Sequence, residues 1–213
     1  MLDNERKAGM NGLQRPRIVE TKDGMRKSLF NEIIKCKKCL SLGIDYRKER
    51  KENLKLAYHF LPKPIRVLWV LESPPKSYPP RYFYRPELTQ HDDLYREVMK
   101  CFGIKPTNPK THGLEIFQAM GHFLIDIAKC PVDKDNSHLK HQIFANCSAI
   151  FTKEVLELCP EKILIVKSNN YDLVLSRLKE IGYGERIVND KPIPYPGSGQ
   201  QVRFRKAISK YLQ

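Results

Sequence analysis

Four of the six cysteines in this chain fall in a pattern that dictates long-range geometry: Cys36 and Cys39 in a Cys-Lys-Lys-Cys step, Cys130 in Lys-Cys-Pro, and Cys147 in Ala-Asn-Cys-Ser. One close pair near the N-terminus and two single residues far downstream cannot be served by local structure. The fold has to gather distant segments around something that thiolates hold. In a reducing compartment a Cys-x-x-Cys pair points to a metal or redox site rather than a structural disulfide. For the cysteines alone, zinc competes with an iron–sulfur cluster, because both accept tetrahedral thiolate sets. Cys101 and Cys159 stand outside the pattern and read as small, buried apolar residues.

At 213 residues the chain has room for one substantial domain, able to bury roughly 70% of the surface its unfolded form exposes. Hydrophobic residues make up 41% of it, and no apolar run approaches the ~20 residues of a membrane helix. Met1 to Lys27 is polar and basic, lacks the apolar stretch of a secretory signal and shows no hydrophobic periodicity. It reads as a loosely ordered arm, residues 1–27, ahead of a single domain at 28–213. A cytoplasmic monomer with no membrane partner is expected. The formal charge of +14 points instead to a polyanion, nucleic acid first, because clustered Lys and Arg gain affinity by releasing counterions from phosphates. Basic residues recur at Arg47 to Lys51, Lys100 to Lys110 and Arg203 to Lys210, which favours a face over a single tail.

The hydrophobic pattern gives an alternation of strands and helices. Ser28 is placed to cap a short helix carrying Leu29, Phe30, Ile33 and Ile34, and a basic segment from Tyr46 to His59 reads as helical or irregular. Ile65 to Leu71 is the clearest strand, a nearly continuous apolar run of the kind buried in a parallel sheet. It ends at Glu72-Ser-Pro-Pro75 and an aromatic, proline-rich loop, Tyr78 to Pro86. Asp92 to Phe102 and Leu114 to Phe123 read as helices, Leu124 to Ala128 as a second strand, and His138 to Leu158 as a helix with Cys147 on its buried face. Lys162 to Val166 is a third strand, Tyr171 to Ile181 a helix ended by Gly182, Ile187 to Pro194 a last strand and Gln200 to Leu212 a closing helix. The expected fold is α/β, a three-layer α/β/α arrangement around a mainly parallel sheet of about four strands. Ligands in such folds bind at the carboxyl ends of the strands.

From about Lys35 to the C-terminus, these segments resemble the iron–sulfur branch of the uracil-DNA glycosylase superfamily, the family 4 type. That branch carries Cys-x-x-Cys before the first strand, Lys-Cys-Pro after a middle strand and a fourth Cys on the following helix. The resemblance implies a [4Fe–4S] cluster held by Cys36, Cys39, Cys130 and Cys147, stapling the N-terminal helix to the domain near a DNA-binding side. It also implies base flipping, in which a nucleotide is extruded into a pocket before its N-glycosidic bond is hydrolysed.

The function motifs depart from the family pattern. Leu71-Glu72-Ser73-Pro74-Pro75 stands where the family has Gly-Glu-Ala-Pro-Gly, which makes Glu72 the leading catalytic residue, orienting water or stabilising the developing sugar cation, with Ser73 helping to hold the water. Tyr195-Pro196-Gly197-Ser198 stands where the family has His-Pro-Ser-Pro; Tyr195 keeps a hydroxyl donor for the pyrimidine O2. Gly197, Ser198, Gly199, Gln200 and Gln201, with Arg203 and Arg205 beyond, fall where the family approaches the DNA. Counting back from Lys129-Cys130, Asp126 replaces the family's base-reading Asn. A carboxylate opposes uracil O4 but accepts from the cytosine N4 amino group, and a carboxyl kept protonated by burial can donate to cytosine N3. Phe83, with Tyr82 or Tyr84 as alternatives, is placed to stack on the base.

These readings converge on a monofunctional DNA glycosylase for a C5-modified cytosine, such as hydroxymethylcytosine or its glucosylated form in phage DNA, acting in defence. Uracil excision in repair is the alternative substrate. A non-catalytic iron–sulfur DNA-binding module and a zinc-stabilised RNA-processing protein are the alternatives of other classes.

Overall fold

A computed structural model describes residues 22–76, 81–132, 137–166 and 171–212. Its centre is a parallel sheet of β1 (Val67–Leu71), β2 (His122–Asp126) and β3 (Lys162–Ile165) in the order β2-β1-β3. Every strand residue except Lys162 is buried, which is why the strands read as apolar runs rather than alternating ones. Val67 pairs with His122 and Leu71 with Asp126, so β1 and β2 end level.

Side chains two apart in a strand share a face, and this register divides the molecule into layers. On one face Trp69 meets Phe117 of α4 (Thr111–Ala119), Phe204 of α7 (Gln201–Tyr211) and Phe102, which follows α3 (Asp93–Cys101). Its indole also donates to His122 Nδ1 at 3.0 Å, and burial holds that imidazole down to about 4. On the other face Phe123 meets Tyr58 of α2 (Arg47–His59). There α1 (Lys22–Lys35) packs against α2 and against α5 (Ser137–Leu158), and α6 (Tyr171–Glu180) follows β3. The expected α/β class and helix-flanked parallel sheet are what the chain forms.

Several details differ. Ser28 lies inside α1, which begins at Lys22, rather than capping it. Phe123 belongs to β2, not to the helix before it. Gly121, in the left-handed conformation at φ +80°, ends that segment, and a Cβ there would come within 2.7 Å of the Arg66 side chain. The ladder still reaches Ala128, as expected, through Ile127 N–H to Leu71 O and Ala128 N–H to Glu72 O. Residues 187–193 add only isolated parallel bridges at Ile187 and Ile193, not a full fourth strand. Cys159 is exposed rather than buried; it sits just past α5 with φ +46°, the left-handed position that ends helices and that glycine normally takes.

On each outer edge of the sheet a side chain takes up the backbone groups of one residue. Along β2 the Tyr84 hydroxyl accepts from Leu124 N–H at 2.7 Å and donates to Leu124 O at 3.2 Å. Along β3 the Asn189 amide accepts from Ile165 N–H and donates to Ile165 O, each at 2.9 Å.

Candidate active-site cleft and four-cysteine cavity

Beyond the carboxyl ends of β1 and β2 lies a cleft of about 320 Å³. Its lining gathers Ser73, Tyr82, Phe83, Asp126, Tyr195, Gly197 and Ser198 from the expected set, joined by Arg81, His91, Asp92 and Asp93. The strand register explains the selection. Leu71 and Asp126 are partners on one sheet face and both line the cleft, and Ser73 follows Leu71 by two. Glu72, between them, points the opposite way: it is buried and ion-paired with Lys140 of α5. It does not line the cleft. Lys140 stands above Phe144, and burial lowers the pKa of its ammonium.

Asp126 is 6% exposed. Burial is the largest influence on its carboxyl and pushes it up to about 7; the Lys129 charge opposes the shift and the Glu154 charge adds to it. Lys129 donates both to the Asp126 carbonyl and to the Glu154 carboxylate, inside the protein. Asp126 therefore titrates near neutrality, able to accept or to donate a proton-bearing hydrogen bond.

The aromatic loop is divided in its duties. Tyr82 and Phe83 line the cleft. Phe83 is 4% exposed and its ring also packs against Tyr84, Tyr95 and Phe117, so it presents only part of its surface to a ligand. Tyr84 is fully buried on the β2 edge and does not reach the cleft. Residues 77–80, with Tyr78, lie outside the described residues. Lys110, completely buried, holds this loop: its ammonium pairs with Asp92 at 2.7 Å and donates to Tyr82 O at 2.9 Å, 5.1 Å from the Tyr95 ring centre. Burial lowers the lysine's pKa and raises that of the aspartate, while each charge steadies the other.

Across the cleft Tyr195 is partly exposed, and desolvation followed by the Asp92 and Asp93 charges pushes its phenol to about 12. It stays a hydroxyl donor at any physiological pH. Its ring rests on Gly197, where a Cβ would come within 3.3 Å of it. Ser198 and Gly199 are both left-handed, at φ 52° and 79°, and lead into α7 at Gln201. Exposed Arg203 bonds to Gln200 Oε1 at 3.4 Å. Arg205, expected at DNA, is ion-paired with the buried Glu97 of α3.

Sequence reasoning missed Arg81, His91, Asp92 and Asp93. Their signal was a His-Asp-Asp cluster at the start of α3, where acids favour the helix dipole. It reads as an ordinary helix start until the aromatic loop folds over it.

The four patterned cysteines meet. Cys36, Cys39, Cys130 and Cys147 line one small cavity with Lys38, Arg50, Lys129 and Asn146. Cys39, Cys130 and Cys147 are buried. Burial raises the Cys130 and Cys147 thiols, Cys147 to about 11, so binding a metal here would have to displace protons. Arg50 Nη1 donates to Cys130 Sγ at 3.0 Å and Asn146 Nδ2 to Cys39 Sγ at 3.6 Å. Among the described residues no three His, Cys, Asp or Glu converge on one ion position. Four thiols around one cavity are a ligand set that suits either a zinc ion or an iron–sulfur cluster.

The fold and site define an α/β protein with a strand-end cleft holding a near-neutral carboxyl, beside a four-cysteine cavity. The chain matches no protein-family model and no curated protein. No helix among the described residues is long and apolar enough to cross a membrane.

Proposed function

We propose that the protein is a monofunctional DNA glycosylase that takes a flipped pyrimidine into the strand-end cleft, with a C5-modified cytosine as its base and a [4Fe–4S] cluster on the four cysteines. The observation that carries this reading is Asp126: a buried carboxyl with pKa near 7, in the cleft with Tyr82, Phe83 and Tyr195. The convergence of the cysteines supports the resemblance to the iron–sulfur uracil-DNA glycosylases.

In the proposed mechanism Asp126 reads the Watson–Crick edge, accepting from cytosine N4 when ionised and donating to N3 when protonated. Tyr195 donates to O2 as the base leaves with negative charge. Ser73 is the hydroxyl placed to hold the attacking water. Asp93, half-buried at the start of α3, is the cleft carboxylate that can stabilise positive charge developing at the sugar C1′. Glu72 can act on the sugar only after Lys140 releases it. The cluster, when bound, would supply a covalent staple between the N-terminal cysteine pair, the loop after β2 and α5; Cys36, Cys39, Cys130 and Cys147 are the residues to hold it.

Incubating the protein with duplex and single-stranded DNA containing hydroxymethylcytosine, glucosylated hydroxymethylcytosine, cytosine, uracil or hypoxanthine, then cleaving abasic sites with alkali, tests the reading. Scission confined to modified cytosine is the expected result, and none on any substrate overturns it. A brown colour and iron in the purified protein test the cofactor; a colourless, zinc-loaded protein overturns it. The Glu72–Lys140 ion pair favours a second reading, a DNA-binding module that keeps the cleft without the chemistry. It predicts binding in the same panel without scission.

A further inference from the structure

We propose that Arg50 is the electrostatic partner of the four-cysteine centre and raises its reduction potential, an inference that rests on the cluster reading above. Arg50 projects from α2 and is 5% exposed. Its Nη1 reaches Cys130 Sγ at 3.0 Å, while Nη2 donates to Ile34 O at 3.1 Å and Cys36 O at 2.6 Å. Its Nε, also buried, has no hydrogen-bond partner.

A guanidinium stays charged inside proteins, and a buried charge without an opposite charge is strongly disfavoured. Among the described residues no carboxylate forms an ion pair with Arg50. Asp45, the acid that feels its field, is exposed and bound through both oxygens to Arg47. Lys129, the buried cation lining the same cavity, is committed to Glu154. The anion left for Arg50 is therefore metal-bound sulfur. A cluster on four cysteinates carries negative charge and gains one more on one-electron reduction, so a fixed cation and a hydrogen bond to a ligating sulfur favour the reduced state. Arg50 is a positioning residue here: it acts on the cysteines, not on substrate.

A purely structural role is the competing account, since the two carbonyl contacts alone would make Arg50 a clasp for the end of α1. A potential separates the two. Wild type, Arg50→Lys and Arg50→Gln are purified anaerobically, assayed for iron per chain, and titrated with dithionite while the reduced cluster is followed by EPR. The expected result is wild-type iron content with a more negative potential in Arg50→Gln and a smaller displacement in Arg50→Lys, which keeps the charge. Equal potentials at equal iron content overturn the inference. Should Arg50→Gln not fold, the wild-type protein labelled with 15N-arginine decides: hyperfine coupling of the reduced cluster to an arginine nitrogen is expected, and its absence overturns the proposal. Iron-free wild type would instead overturn the cluster reading itself, with Arg50's role falling along with it.

Discussion

Glu72 and Lys140 form a buried ion pair on the face of the sheet opposite the cleft. The pair joins the end of β1 to the first turns of α5, and so ties the strand-end loop to the helix that carries Cys147. Lys140→Met leaves a buried carboxylate without its ammonium. The expected loss is toward the lower end of ~3–5 kcal/mol, because Lys140 keeps some solvent contact. Glu72→Gln in that background should restore most of it. Urea unfolding of the single and double variants measures the cycle; additive losses would show that the two residues do not depend on each other.

Asp126→Asn should act on both specificity and pH dependence. Asn offers a fixed amide, suiting the uracil edge, so the ratio of uracil to modified-cytosine excision should rise by tenfold or more, on the order of one good base contact. The sign for stability follows from its raised pKa. The unfolded carboxyl loses its proton near 4 and the folded one near 7, so between those values the folded state holds the extra proton. Asp126 therefore lowers stability as pH climbs through this window, up to ~4 kcal/mol at ~1.4 kcal/mol per pH unit. Asp126→Asn should stabilise the protein at pH 8 and do little at pH 4, as thermal unfolding at both pH values will show.

Phe83 serves the core and the cleft together. Phe83→Ala should cost ~3–5 kcal/mol of stability besides impairing activity. Phe83→Leu preserves most of the volume but removes the aromatic face. If Phe83 stacks on the base, that variant should stay folded and lose activity in proportion to a stacking contact of ~1–3 kcal/mol. Unchanged single-turnover rates and binding in Phe83→Leu would restrict Phe83 to packing.

Gly197 and Gly199 make a contrasting pair. Alanine at 197 meets no forbidden backbone angle but crowds the Tyr195 ring at 3.3 Å, so single-turnover excision should slow several-fold with little change in melting temperature. Alanine at 199 meets open space but sits at φ +79°, where an L-residue costs ~1 kcal/mol. Its melting temperature should fall. A reversed pattern would mean that Tyr195 is not held by Gly197.

Most of the fold was legible because buried parallel strands announce themselves as apolar runs, and Ile65 to Leu71 did so unambiguously. The cysteine convergence was legible for a different reason: thiols of that spacing have few reasons to exist apart. Asp126 was reached by counting from Lys129-Cys130, and it lines the cleft. Glu72 shows where such counting stops. Its neighbours face the cleft and it faces α5; local alternation sets Glu72 opposite Leu71 and Ser73, but no local pattern says which face of the sheet the cleft will occupy. Tyr84 was misplaced by the same limit, since an aromatic in a loop looks alike whether it meets a ligand or, as here, Leu124.

The Tyr84 and Asn189 contacts at the two sheet margins have a consequence for how this protein behaves in company. Three parallel strands ordinarily expose two ragged rows of amides on which another chain can template itself. Here a phenol takes one rung at the middle of β2, and on β3 a carboxamide takes Ile165, between the two isolated backbone bridges at Ile187 and Ile193. Such a rung lends no repeating backbone to extend. The sheet can thus stay narrow enough to leave its strand ends open to a ligand while offering little purchase to a second sheet.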